Sequence, residues 1–195
     1  MVAADSRPPS SGRCTLVTGP ASSGKSLWAE TLALRSRLPV VYLATGPQRP
    51  DDAAWQERLR RHRQRRPSHW RCQEVGLDLV AALARAEAGT LVLVDSLGTW
   101  VAAGLDLDES AWFAQCSALS DVVRRAAAEL VLVGEETAWG VVPPTAVGGR
   151  FRQRLGSLLQ QLMPACDAAW LVLHGRALNL LGLSEPVPDA LETGN

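Results

Sequence analysis

Two stretches of this 195-residue chain hold residue types at spacings that do chemistry. The first is GPASSGKS, which fits G-x-x-x-x-G-K-[ST] between an apolar run and a helical one. The backbone N–H groups of Gly19, Pro20, Ala21, Ser22, Ser23 and Gly24, proline excepted, would wrap a phosphate, with the helix N-terminus behind them. Lys25 would neutralise β/γ-phosphate oxygens, and the Ser26 hydroxyl would hold Mg²⁺. Lys25 is also the only lysine; the other nineteen of the twenty Lys and Arg residues are arginines. Asp95 closes the run LVLVD, where a carboxylate at a buried strand end meets the Mg²⁺ shell of a P-loop site. Glu135 and Glu136 close the next such run and suit either metal and substrate contact or turn capping.

The second stretch is RLRRHRQRRPSHW, Arg58 to Trp70, with six arginines, two histidines and no acid. On a helix, Trp55, Arg58, Leu59 and His62 share one face, and Arg60, Arg61 and Arg63 point elsewhere. From this pattern alone the segment reads as a solvated basic face or as a phosphate-binding or catalytic one. His69 reads as structural, and His174 has no assigned role.

These residues need elements to place them. RCTLVTG, LPVVYLATG, TLVLVDSLGTWV, ELVLVGEE and DAAWLVLHG read as strands, the third apolar until Asp95. Between them lie helical patterns: KSLWAETLALRS, with Leu27, Trp28, Leu32 and Leu34 as its apolar face; DDAAWQERLRRHRQR; GLDLVAALARAEAG; DESAWFAQCSALSDVVRRAAA; and a helix within PTAVGGRFRQRLGSLLQQLMPAC. Alternation of this kind predicts an α/β fold, P-loop NTPase-like, with a mainly parallel sheet flanked by helices. Ligands then bind beyond the carboxyl ends of the strands, where Gly19–Ser26 and the segments after Asp95 and Glu135 converge. We expect a flexible leader over 1–12, a single catalytic domain over 13–183 and an acidic tail over 184–195.

Composition removes several classes. Net charge is zero, whereas a dedicated nucleic-acid-binding domain is usually basic. No apolar run reaches membrane-span length, and the N-terminus lacks the apolar core of a secretory signal. Four scattered cysteines without a CxxC pair fit a cytoplasmic setting and no zinc site.

The ordered set of motifs resembles one family. After GPASSGKS come YLATG, then R-x-x-x-H-R-x-x-R-P-x-x-W with a glutamate four residues on: Arg58, His62, Arg63, Arg66, Pro67, Trp70 and Glu74. DSLGTWV from Asp95, G-V-V-P from Gly140 and R-F-R at Arg150–Arg152 follow in order. Over roughly residues 14–176 the chain resembles the adenosylcobinamide kinase / adenosylcobinamide-phosphate guanylyltransferase family of cobalamin biosynthesis. That resemblance implies two reactions: phosphorylation of adenosylcobinamide by ATP or GTP, then transfer of GMP from GTP to adenosylcobinamide phosphate. It implies a guanylylated His62 as intermediate, with Arg58, Arg63, Arg66 and Glu74 joining the P-loop and Asp95 around the nucleotide. It also implies a homotrimer. The chain differs from the family pattern at Ser22, Ala103, Glu135, Gln153 and Leu159. Two alternatives stand beside this reading: one activity retained without the other, or a P-loop NTPase that binds nucleic acid through the arginine helix.

Overall fold

The computed structural model describes residues 12–47, 51–137, 139–140 and 143–188, without the side chains of Trp55 and Arg58. Seven strands form one sheet: β1 (Cys14–Gly19), β2 (Val40–Ala44), β3 (Arg71–Glu74), β4 (Leu91–Asp95), β5 (Glu129–Glu135), β6 (Ala168–Leu173) and β7 (Arg176–Asn179). Their order is β3-β2-β4-β5-β1-β6-β7, parallel throughout except for β7, which runs antiparallel to β6. Six α-helices connect them: α1 (Lys25–Ser36), α2 (Ala53–Arg65), α3 (Leu79–Ala84), α4 (Leu97–Ala103), α5 (Glu109–Arg125) and α6 (Ala146–Leu162).

The central strands read as unbroken apolar runs because both of their faces are covered. Val92 and Val94 of β4 and Leu130 and Leu132 of β5 face a core built with residues of α3 to α6. The alternate residues Leu91, Leu93, Val131 and Val133 face a smaller core with Ala29 and Ala33 of α1. The expected apolar face of α1 is only half right: Trp28 and Leu32 pack on this core, but Leu27 and Leu34 are more than half exposed. The P-loop sets the helix phase. It turns Lys25 inward, and Ala29 and Ala33, four and eight residues on, follow it to the sheet.

Sequence and structure also part after Asp95. The expected third strand stops there, and LGTWVAA is α4. Ser96 caps this helix by accepting from the Thr99 N–H, and Thr99 reciprocates toward the Ser96 backbone. Leu97, Trp100 and Val101 then fall at helical spacing and are fully buried. The strands β3 and β7 are additional to the five expected. Both are four-residue edge strands with mostly exposed side chains, so neither shows an apolar run.

Candidate active site

The site grows from the carboxyl ends of β1, β2, β4 and β5. Past β1, Gly24 has φ 98 at the N-cap of α1, a left-handed position that favours glycine. The next residue is Lys25, whose side chain is buried and whose Nζ donates to the Pro20 carbonyl at 3.3 Å. A buried ammonium beside a glycine-bounded loop at a helix N-terminus is an arrangement able to bind phosphate.

Asp95 ends β4 and is the hub. Its Oδ2 accepts from the Tyr42 hydroxyl at 2.7 Å and lies 3.4 Å from His62 Nδ1. Burial pushes the Asp95 carboxyl up, but the His62 contact, the Tyr42 hydrogen bond and the Lys25 charge outweigh it and hold the group below its ordinary value. The same environment drives Tyr42 well above the usual phenol range, by burial first and by the Asp95 carboxylate second.

Helix α2 delivers His62, and polar contacts hold that helix. Arg65 grips Glu30 of α1 through two hydrogen bonds, both at 3.2 Å. Arg66, just past the helix, donates to the His62 carbonyl at 2.9 Å and stacks 3.8 Å over the Tyr42 ring. Arg63 donates to Glu74 of β3 at 3.2 Å. Arg60 and Arg61 bond Glu57 on the solvent side, and those two contacts hold Glu57 down at about 2. Arg63 departs from the helical-face expectation, for it reaches the site together with His62.

On the opposite wall, Glu135 ends β5 and clasps the start of α4. Its carboxylate accepts from the Ser96 hydroxyl and from the Gly98 N–H. A Cβ at Gly98 would collide with that carboxylate, so only glycine permits this approach. Burial raises the Glu135 carboxyl; the Ser96 bond and the Lys25 charge only partly offset it.

These groups line one cavity of about 800 Å³. Ala21, Lys25, Ser26, His62, Arg63, Arg66, Glu74 and Asp95 all face it, so a loop and a helix far apart in sequence share a chamber. Gly19, Pro20, Ser22, Ser23 and Gly24 form the loop beside it, with Ser22 at φ 60. The Arg58 side chain lies outside the described residues. His69 is exposed, and His174 sits at φ 48 in the β6–β7 turn. Sequence reasoning missed Tyr42, Ser96 and Gly98. The chain's single tyrosine, placed in a buried strand, and the S-x-x-T cap were the available signals.

Ser26 and Asp95 offer one hydroxyl and one carboxylate on the cavity wall. Hard oxygen donors of this kind suit Mg²⁺, which in such sites takes most of its ligands from phosphate and water. No group of three His, Cys, Asp or Glu able to hold a metal occurs among the described residues.

A family model described as cobinamide kinase / cobinamide phosphate guanyltransferase matches residues 15–180. The chain belongs to this family. It is 36% identical over 169 residues to the bifunctional adenosylcobalamin biosynthesis protein CobP of Pseudomonas aeruginosa, covering 86% of this chain and 96% of that protein. It is 34% identical over 175 residues to the bifunctional adenosylcobalamin biosynthesis protein CobU of Escherichia coli, covering 82% and 95%. Among solved structures, a protein of Pyrococcus horikoshii OT3 superposes with TM-score 0.55 at 10% identity, covering 87% of this chain and 86% of that one. An ATPase from the type III secretion system of pathogenic bacteria superposes with TM-score 0.51 at 11% identity, covering 82% and 51%. These two likenesses concern the fold alone. Leu159 of α6 is buried in the core, where its side chain packs against Gly134.

Proposed function

We propose that this chain is a bifunctional transferase of cobalamin biosynthesis. It phosphorylates the aminopropanol hydroxyl of adenosylcobinamide with ATP or GTP, and then moves GMP from GTP onto adenosylcobinamide phosphate, releasing pyrophosphate. The observation that carries the reading is the single cavity lined by Lys25, Ser26, Asp95 and His62. Lys25 steadies the β/γ-phosphates in both reactions. Arg63 and Arg66, with Arg58, neutralise triphosphate and leaving pyrophosphate. His62 attacks the α-phosphorus as a neutral imidazole and accepts GMP. Bound with the nucleotide at Ser26 and Asp95, Mg²⁺ would draw negative charge from the phosphate oxygens.

GTP labelled at the α-phosphate tests the reading. Wild type should form an acid-labile, alkali-stable protein adduct that adenosylcobinamide phosphate discharges as adenosylcobinamide-GDP. No adduct, or an adduct persisting in His62→Ala, overturns it. Retention of one activity alone would show as corrinoid phosphate without its GDP form, or the reverse. The homotrimer and the cytoplasmic setting belong to this proposal, and light scattering checks the first. No helix among the described residues is long and apolar enough to cross a membrane.

A further inference from the structure

His62 has two ring nitrogens, and only one can take the guanylyl group. The structure distinguishes them. Nδ1 lies 3.4 Å from Asp95 Oδ2, while the same oxygen accepts from the Tyr42 hydroxyl at 2.7 Å. Arg66 closes the ring by stacking on Tyr42 and bonding the His62 carbonyl. The His62 side chain is 19% exposed and that of Asp95 11%, so water competes weakly for this contact. The 3.4 Å separation is long for a hydrogen bond, as contacts of this kind often are before substrate arrives.

We infer that Asp95 and Tyr42 are positioning residues for His62: they hold its proton on Nδ1 and leave the Nε2 lone pair as the atom that bonds to phosphorus. The inference rests on the guanylyl-histidine reading above and specifies its atom. Nε2 attacks the α-phosphorus, an N–P bond forms, the bond to the β-phosphate oxygen breaks, and its electron pair leaves on pyrophosphate. The Nδ1 proton stays in place, and the Asp95 carboxylate offsets the charge that grows on the ring. In the second half, an oxygen of the acceptor phosphate attacks phosphorus, and the N–P electron pair returns to Nε2. Asp95 thus has two duties: it orients the nucleophile, and with Ser26 it would help hold Mg²⁺. Tyr42 fixes the carboxylate rotamer for the first duty.

Nitrogen NMR of protein labelled with ¹⁵N-histidine tests this directly. The chain has only three histidines, and His62→Gln assigns the relevant one. In the nucleotide-free protein at alkaline pH, His62 should be protonated at Nδ1 and bare at Nε2. After GTP and Mg²⁺, phosphorus coupling should appear on Nε2. Asp95→Asn, whose amide can donate to Nδ1, should move the proton to Nε2 without nucleotide present. Tyr42→Phe keeps the ring under Arg66 and should shift the tautomer balance partway, slowing adduct formation about tenfold. A proton found on Nε2 in the free wild type, or phosphorus on Nδ1, overturns the inference while leaving the guanylyl-histidine intact. If no adduct forms, the guanylyl-histidine reading fails, and the free-protein tautomer still decides whether Asp95 and Tyr42 position the ring as stated. A wild-type tautomer unchanged in Asp95→Asn also overturns it.

Discussion

Replacing Arg65 by methionine probes how His62 is held in place. Among its described side chains, α2 buries none, and its described ties to α1 and β3 include polar contacts. One of them reaches from Arg65 to Glu30, whose side chain is only 6% exposed, whereas that of Arg65 is 39% exposed. Breaking a fully buried ion pair costs about 3–5 kcal/mol, and an exposed pair contributes about 1 or less. Half-exposed Arg65 places this pair between those limits, at about 2 kcal/mol for Arg65→Met. Much of that cost comes from leaving the Glu30 carboxylate facing the interior. The double variant Glu30→Gln with Arg65→Met should therefore be more stable than Arg65→Met alone. Urea unfolding of all four proteins should return a coupling of about 1–2 kcal/mol. The loss leaves the protein almost wholly folded. A slower His62 adduct, up to about tenfold at 1.4 kcal/mol of undocking, then reports misplacement of α2 and not unfolding. Arg60→Met, on the solvent face with Glu57, is the control and should change neither measurement. Additivity of the cycle within about 0.3 kcal/mol, or an equal loss of adduct in Arg60→Met, refutes this account of docking.

Glu135→Gln should stabilise the protein at neutral pH, because burial raises the folded carboxyl above its ordinary 4.5. A raised acid favours the folded state while protonated and loses that benefit as pH rises through the folded value. The gain from glutamine should therefore vanish as pH falls toward 4.5, which unfolding curves across that range would show. Cys72 is the exposed thiol and lines the cavity, so it should react first with a thiol reagent and be protected by GTP. Cys116, buried and pushed up to about 11, should remain unlabelled until unfolding. Arg154 is buried and donates to the carbonyls of Gly104, Leu105 and Leu107. Arg154→Met should cost about 2–4 kcal/mol in urea unfolding, with nucleotide affinity at the P-loop unchanged.

What could be read from sequence was whatever the chain writes locally. GPASSGKS fixed a strand, a turn and a helix within a dozen residues, and the apolar runs of β4 and β5 announced strands covered on both faces. Helical phase was not local. Hydrophobicity alone put Leu27 and Leu34 inward, but the loop rotates α1 to aim Lys25, and two alanines take the interior. The end of β4 was misread because LGTWV suits strand or helix by composition; the Ser96–Thr99 cap decides it. Asp95 was legible as a strand-end acid. Its link to His62 and Tyr42 was not, since strand order and the docking of α2 bring them together across 33 and 53 positions.

The same docking explains why arginine serves on and just past α2 and lysine in the loop. Arg65 makes two parallel bonds to one carboxylate, and Arg66 lays a flat cation on an aromatic face while bonding a carbonyl. A guanidinium does both through its planar fork; an ammonium, a compact and strongly hydrated point charge, does neither well. In the phosphate loop the demand is reversed. A single cation must fold back under a tight turn, bond the Pro20 carbonyl and present charge from a buried position. A broad guanidinium fits such a space poorly, whereas an ammonium on a flexible stem fits it. Lys25→Arg keeps the charge and should still depress nucleotide binding, measured by calorimetry with GTP. Affinity equal to wild type would mean that charge alone, and not its shape, matters at this position.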